Sequence, residues 1–230
     1  MIKAIIFDLD GTVLNTLLDL KTAVNRVMNK LGYCEQSYEE VRNKVGSGFR
    51  NLMFRCIGKE DISEEELDTA EKQMVIEYKD CYHDNTRPYE GINELLSYLK
   101  NNDIKIAINS NKNDDYTKKL IEINFPFIDL NLVLGKREGY NVKPDPANNT
   151  ELMEKMQVKP EEVLYVGDSL VDIKTAQNSS LKAVSVSWGF VDKDRLVQAK
   201  PDYIIDKPDE LIDIIPSLTV DKTKISRNPR

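Results

Sequence analysis

Six short apolar runs, rich in β-branched residues, punctuate the chain: IKAIIF at 2–7, IKIAI at 104–108, NLVL at 131–134, VLYV at 163–166, KAVSV at 182–186 and DYII at 202–205. Runs of this length, bounded by turn residues, predict strands buried on both faces. Helix-period patterns lie between most of them. Ile92, Leu95, Leu96 and Leu99 share one face at i, i+3, i+4 and i+7, and Leu152, Met153 and Met156 mark another. Strands alternating with helices predict an α/β fold, a mainly parallel sheet with helices on both faces.

The alternation breaks between Leu17 and Arg87. DLKTAVNRVMNKLG and SEEELDTAEKQMVIEYKDCY both read as helices there, and no run reads as a strand. A crossover between parallel strands needs only about a dozen residues. The excess predicts an inserted, all-helical unit at 17–87, set into a core made of 1–16 and 88–217. Its exits fall at Asn15–Thr16 and at Arg87–Pro88–Tyr89–Glu90–Gly91, where Pro and Gly give a hinge-like composition. Residues 218–230 turn polar and basic and read as a frayed tail.

Composition narrows the function classes. The 230 residues are 40% apolar and 31% charged, with a formal net charge of −7, enough material for a globular core. The acidic balance counts against a nucleic-acid or membrane-surface binder, which needs a basic face. No apolar run is long enough to span a bilayer. The opening MIKAIIFDLD lacks the apolar region of a signal peptide, so a cytoplasmic location is expected. Cys34, Cys56 and Cys81 form no C-x-x-C pair and read as thiols rather than disulfides or zinc ligands. His83 is the one histidine, so histidine-based metal binding is ruled out, and it reads as a surface residue. Monomer and homodimer both remain open.

In an open parallel sheet, ligands bind beyond the carboxyl ends of the strands. Asp8 and Asp10 follow the first run; Asn109, Ser110, Asn111 and Lys112 follow the second; Gly167, Asp168 and Ser169 follow the fourth, with Asp172 one helical turn on. If these strands are neighbours, three carboxylates and a hydroxyl meet. Clustered carboxylates repel unless a cation or protons intervene, and an all-oxygen set with few carboxylates suits Mg²⁺. The turn Asp10–Gly11–Thr12 offers backbone amides to a phosphate, and Lys143 in VKPDP offers a complementary charge. Each piece also has a plainer reading. Ser110, Asp168 and Ser169 could cap helices, and Lys143 could be a solvated charge. Their occurrence in order, each where a strand ends, favours a shared site.

The four pieces together resemble the motifs of the haloacid dehalogenase superfamily, over nearly the whole chain. The first is Asp8-Leu9-Asp10-Gly11-Thr12, the second Ser110 in INSNK, the third Lys143 in KPDP, and the fourth Gly167-Asp168-Ser169-Leu170-Val171-Asp172. The resemblance implies a Rossmann-like core with an inserted helical cap, and a phosphohydrolase using Mg²⁺. By resemblance, Asp8 is the nucleophile that forms an aspartyl phosphate. Asp10 is the general acid and then the base, giving the metal only its backbone carbonyl. Asp8 and Asp168 supply the other metal ligands, Asp172 orients metal-bound water or Lys143, and Ser110 and Lys143 hold the phosphoryl oxygens. Asp19-Leu20-Lys21-Thr22-Ala23-Val24-Asn25, Val45-Gly46-Ser47-Gly48 and Ser110-Asn111-Lys112 resemble phosphoglycolate phosphatase-like proteins in particular, whereas Asn15 and Leu17-Leu18 depart from them. A small phosphorylated metabolite is the implied substrate. Gly46, Ser47, Gly48 and Arg50 are candidate cap contacts, Arg50 to a substrate carboxylate, although the glycines could merely join two helices and Arg50 be solvated. The alternatives are a pyrophosphatase, a sugar phosphomutase, or a non-catalytic phosphate-binding module. The mutase would carry a histidine soon after Thr16, where none stands, and a dehalogenase would lack Asp10.

Overall fold

The computed structural model describes residues 1–46 and 48–217; the expected tail at 218–230 and the candidate Ser47 lie outside the described residues. The chain enters through β1 (Ala4–Phe7) and the short β2 (Leu14–Asn15). Four helices follow, α1 (Leu17–Lys30), α2 (Tyr38–Lys44), α3 (Gly48–Ile57) and α4 (Glu64–Lys79). It returns through β3 (Arg87–Pro88) into α5 (Ile92–Asn101), β4 (Lys105–Asn113), α6 (Asp114–Asn124) and β5 (Val133–Lys136). Next come α7 (Ala147–Met156), β6 (Val163–Gly167), α8 (Leu170–Asn178) and β7 (Lys182–Val186), then α9 (Lys193–Ala199), β8 (Tyr203–Ile205) and α10 (Glu210–Ser217).

The main sheet is six-stranded, in the order β5-β4-β1-β6-β7-β8, with every pairing parallel. β1 is central, with β4 on one side and β6 on the other. The chain first builds outward to β5 and then crosses back to β6, which makes the carboxyl end of β1 a topological switch point where a crevice opens. All residues of β1 and β6 are buried, because helices cover both faces. The period-2 alternation of β1 divides its side chains between two cores. Ile5 and Phe7 pack with Leu95, Leu99, Leu120 and Leu211 of α5, α6 and α10. Ala4 and Ile6 pack with Leu152, Met156 and Ala176 of α7 and α8.

The four helices after β2 bury a cluster of their own, including Val24 and Val27 of α1, Met53 of α3, and Met74 and Tyr78 of α4. Helix starts are marked by Ser37, whose side chain forms a capping box with Glu40, and by Ser63, which accepts from the Glu66 amide. The chain leaves and re-enters the core side by side. β2 and β3 pair antiparallel, Leu14 with Pro88 and Asn15 with Arg87. Two residues are too few to register as a strand pattern, which is why this segment read as strandless. Beside it, Asp19 of α1 is fully buried, with its carboxylate accepting from the backbone amides of Asn85 and Thr86 and from the Asn85 amide and Thr86 hydroxyl side chains. Among the described residues, no helix is long and apolar enough to cross a membrane.

Two strands differ from their expected limits. β5 starts later than the run at 131–134, because Leu130–Leu132 is a 3₁₀ turn whose lead residue, Asp129, accepts from the Asn131 amide. β4 runs on to Asn113 with a register shift between Asn109 and Asn113. Ser110, Asn111 and Lys112 therefore lie in an irregular strand end rather than in the loop beyond it, and the helix that follows is capped by Asn113, not Ser110.

Candidate active site

Asp8 is the first residue past β1, and its amide still donates to the Val166 carbonyl of β6 at 2.8 Å, so the sheet itself sets the direction of the carboxylate. The ends of β4 and β6 bring Ser110 and Asp168 alongside. Asp8, Asp10, Ser110, Asn111, Lys143 and Asp168 all line one cavity of about 690 Å³ between the sheet and the helices α1–α4. Gly46 and Gly48 line its far wall.

Lys143 reaches this centre from the loop before α7. Its Nζ lies 2.7 Å from an Asp8 oxygen and 2.8 Å from an Asp172 oxygen. Asn111 clasps the lysine's backbone, its Oδ1 accepting from the Lys143 amide at 2.8 Å and its Nδ2 donating to the Lys143 carbonyl at 3.3 Å. The Lys143–Pro144 peptide bond is cis. Further back, Asn109 exchanges hydrogen bonds with Asn148 and Asn149, and Asn178 donates to the Pro144 carbonyl, fixing the loop to its surroundings.

Asp172 is committed elsewhere. One oxygen takes Lys143 and the Tyr165 hydroxyl, and the other takes the Ser169 amide and hydroxyl. Ser169 in turn caps α8, so the plainer reading of that serine holds alongside the site. Asp168 is not a cap. One of its oxygens accepts from the Phe190 amide at 2.6 Å, and its carboxylate lies against Gly11 and Gly189, where any Cβ would overlap it. Gly11 also has φ +85°, a left-handed conformation that L side chains rarely adopt.

Burial, opposed by Lys143 and reinforced by Asp172, pushes the Asp8 carboxyl up to about 7. Burial and the charges of Asp172 and Asp8 also push Asp168 well above the usual carboxylate range. Burial works against the charge of Lys143, but Asp172 and Asp8 outweigh it and raise the ammonium well above its ordinary value. Oxygens of Asp8, Asp168 and Asp172 all lie within 4.8 Å of one another. Three buried carboxylates against one ammonium leave an uncompensated negative charge, a donor set of hard oxygens that fits a divalent cation. Asp8 and Asp168 are the better ligands of the three, because the oxygens of Asp172 are already taken.

Two candidate contact groups make bonds within the protein. Two amides of the Asp10–Gly11–Thr12 turn are engaged within the turn. Gly11 N donates to the Leu14 carbonyl at 2.9 Å and Thr12 N to the Leu9 carbonyl at 3.3 Å, so both are spent inside the turn. Gly11 serves to admit Asp168, and Thr12 is fully buried, its carbonyl accepting from the Trp188 indole. Arg50 does not reach the cavity. It is ion-paired with Glu64, Asp68 and Glu71, all within the helical unit. Arg42, Arg55 and Arg195 are the arginines on the cavity wall near α1–α4 and the 187–192 loop.

The sequence reading placed Lys112 in the second strand-end group but gave it no role, and it did not single out Phe190. Lys112 stands two residues beyond Ser110 on an extended strand, so the period of two puts both on one face, a signal that was available. Phe190 gave no such signal, since its role comes from tertiary position: its ring packs into the core of α1–α4 while its amide holds Asp168.

A profile of the haloacid dehalogenase-like hydrolase family matches residues 5–186. The chain is 32% identical to the phosphoglycolate phosphatase of Vibrio parahaemolyticus over 222 residues, covering 93% of this chain and 96% of that one. It is 29% identical to the phosphoglycolate phosphatase of Aquifex aeolicus, again covering 93% of this chain and 96% of the relative. A solved structure of a candidate phosphoglycolate phosphatase from Lactobacillus delbrueckii subsp. bulgaricus superposes with a TM-score of 0.86 at 29% identity, over 93% of this chain and 98% of that one. The matched span carries Asp8, Ser110, Lys143 and Asp168, and the chain belongs to the haloacid dehalogenase-like hydrolase family.

Proposed function

We propose that this chain is a Mg²⁺-dependent phosphatase that hydrolyses a small phosphate monoester of the phosphoglycolate type through an aspartyl phosphate at Asp8. The observation that carries the reading is the position of Asp8: a carboxylate fixed at the switch point of the sheet, paired to Lys143, and open to the cavity. The names of the relatives supply the substrate class.

A carboxylate oxygen of Asp8 attacks phosphorus, and the bond from phosphorus to the ester oxygen breaks, its electron pair leaving with the alcohol. Asp10 gives that oxygen its proton and afterwards takes one from the water that hydrolyses the acyl phosphate. Ser110, whose Oγ accepts from the Lys112 amide at 3.1 Å, keeps its hydroxyl hydrogen for a phosphoryl oxygen, and Lys143 neutralises charge on another. Asp8, Asp168 and the Asp10 carbonyl are the residues that would hold the cation. When bound, it supplies positive charge that offsets the repulsion between carboxylates and phosphate. Residues 17–87 serve as a cap that admits a small ester and limits water around Asp8.

The test is phosphate release with Mg²⁺ from phosphoglycolate, pyrophosphate, sugar phosphates and nucleotides. The reading expects the highest kcat/KM on a small carboxylated ester. Preference for pyrophosphate or a nucleotide would overturn the substrate class and leave the phosphatase reading standing.

A further inference from the structure

Lys112 is the one buried cation at the centre whose role the proposed chemistry leaves open. It sits at the irregular end of β4, with only 3% of its side chain exposed. Its Nζ is 2.9 Å from Asp10 Oδ1 and lies over the ring of Tyr78 on α4, 4.8 Å from the centroid. The Thr16 hydroxyl donates to the same Asp10 Oδ1 at 2.5 Å. Among the described residues, no hydrogen bond reaches Asp10 Oδ2. The two oxygens of this carboxyl are thus made unequal: one is held by a cation and a hydroxyl, the other is left to the cavity.

We infer that Lys112 is a positioning residue for Asp10: with Thr16 it pins Oδ1, so that Oδ2 faces the ester oxygen and carries the transferred proton. This rests on the reading of Asp10 as the acid. A carboxyl able to rotate would spend much of its time offering the wrong oxygen, and a proton must be within hydrogen-bond reach of the leaving group to help it. The balance is simple. The O–H bond at Asp10 Oδ2 breaks as the bond from phosphorus to the ester oxygen breaks. The alcohol leaves neutral, and Asp10 is left as a carboxylate facing Lys112 and Thr16. Tyr78 ties this arrangement to the helical unit. Its ring covers the other side of the ammonium and packs edge-on with Phe49 of α3 and Tyr116 of α6, at 5.2 and 5.5 Å. Lys112 is therefore fully enclosed only when α4 lies against the core.

The experiment uses kcat/KM, which reports the steps through departure of the alcohol and not the later hydrolysis. Two substrates are compared in wild type, Lys112→Met, Lys112→Arg and Asp10→Asn: an alkyl phosphate, whose leaving group needs a proton, and p-nitrophenyl phosphate, whose leaving group does not. Lys112→Met should lose about 10²-fold or more on the alkyl ester and less than about tenfold on the aryl ester. Lys112→Arg should recover part of the alkyl loss. If both esters suffer equally in Lys112→Met, or neither does, the lysine is a structural charge and the inference fails. Asp10→Asn separates the two levels: if it too lacks the selectivity for the alkyl ester, the reading of Asp10 as acid is what has failed. Should Lys112→Met not fold, Thr16→Val removes the other donor to Oδ1 and carries the same expectation, with the same overturning result.

Discussion

Neutralising Asp8 should stabilise the metal-free protein, and the gain should depend on pH. Burial holds the Asp8 carboxyl up to about 7, against 3.8 for an unperturbed aspartate. A carboxyl whose folded value is raised binds more protons in the folded state than in the unfolded one. It therefore subtracts stability as pH climbs from about 4 to about 7, and the loss is complete above that window. At about 1.4 kcal/mol per pKa unit, the strain reaches roughly 4 kcal/mol at pH 8. Asp8→Asn keeps the shape, cannot ionise, and leaves Lys143 its partner Asp172. In EDTA the variant should exceed wild type by only about 1–2 kcal/mol near pH 5 and by about 3–4 kcal/mol at pH 8, the latter roughly 6–16 °C in Tm for a chain of this size. Mg²⁺ should raise the Tm of wild type much more than that of the variant, since binding to the folded state stabilises by mass action and the variant has lost a charged ligand. Thermal melts of both proteins between pH 5 and 8, with and without Mg²⁺, measure this directly. A pH-independent difference, or a variant less stable than wild type at pH 8 in EDTA, would refute the argument that Asp8 is held at an energetic cost for the sake of its chemistry.

Activity should vanish in EDTA and return with Mg²⁺ but poorly with Ca²⁺, and Asp168→Ala should need more Mg²⁺ for half-maximal rate; an unchanged metal titration would remove Asp168 from the ligand set. Asp19→Ala should lower stability by about 2–4 kcal/mol in urea, because the buried amides of Asn85 and Thr86 lose their acceptor at the crossing between core and helices; a loss within error would mean water replaces it. Arg50→Ala should change kcat/KM on carboxylated esters less than about twofold, since its partners are Glu64, Asp68 and Glu71 rather than substrate; a large selective loss would return Arg50 to the site.

The parts legible in the sequence were those written locally. Unbroken apolar runs gave all six strands of the main sheet, and the i, i+3, i+4, i+7 pattern gave α5, because each reflects burial of consecutive residues. Asp8, Ser110 and Asp168 were legible because each stands at or next to the end of a strand, and parallel order brings strand ends together; Lys143 was legible from its motif, and reaches them from the loop between β5 and α7. What stayed hidden depended on partners distant along the chain. That Gly11 N bonds Leu14 O, and that the missing side chain of Gly11 leaves room for the Asp168 carboxylate, depends on turn geometry and a distant partner. Arg50 looked free because its three carboxylates sit on α4, well along the chain from it. The motif at Asp19–Asn25 carried no chemistry; Asp19 binds the hinge, and Asn25 exchanges hydrogen bonds with the backbone of Gln36. The 187–192 loop holds Asp168 through the Phe190 amide while Arg42 of α2 bonds to Asp192, a link between the helices and Asp168 that no local pattern encodes.

The central claim is that phosphate passes through Asp8. The protein should be mixed with Mg²⁺ and a small phosphate ester, quenched during turnover, and reduced with borohydride, which converts an aspartyl phosphate to homoserine. Peptide mass spectrometry then reads the position. The account predicts homoserine at position 8 in wild type and none in Asp8→Asn. Turnover with no homoserine at position 8, or with the modification at position 10, would contradict it.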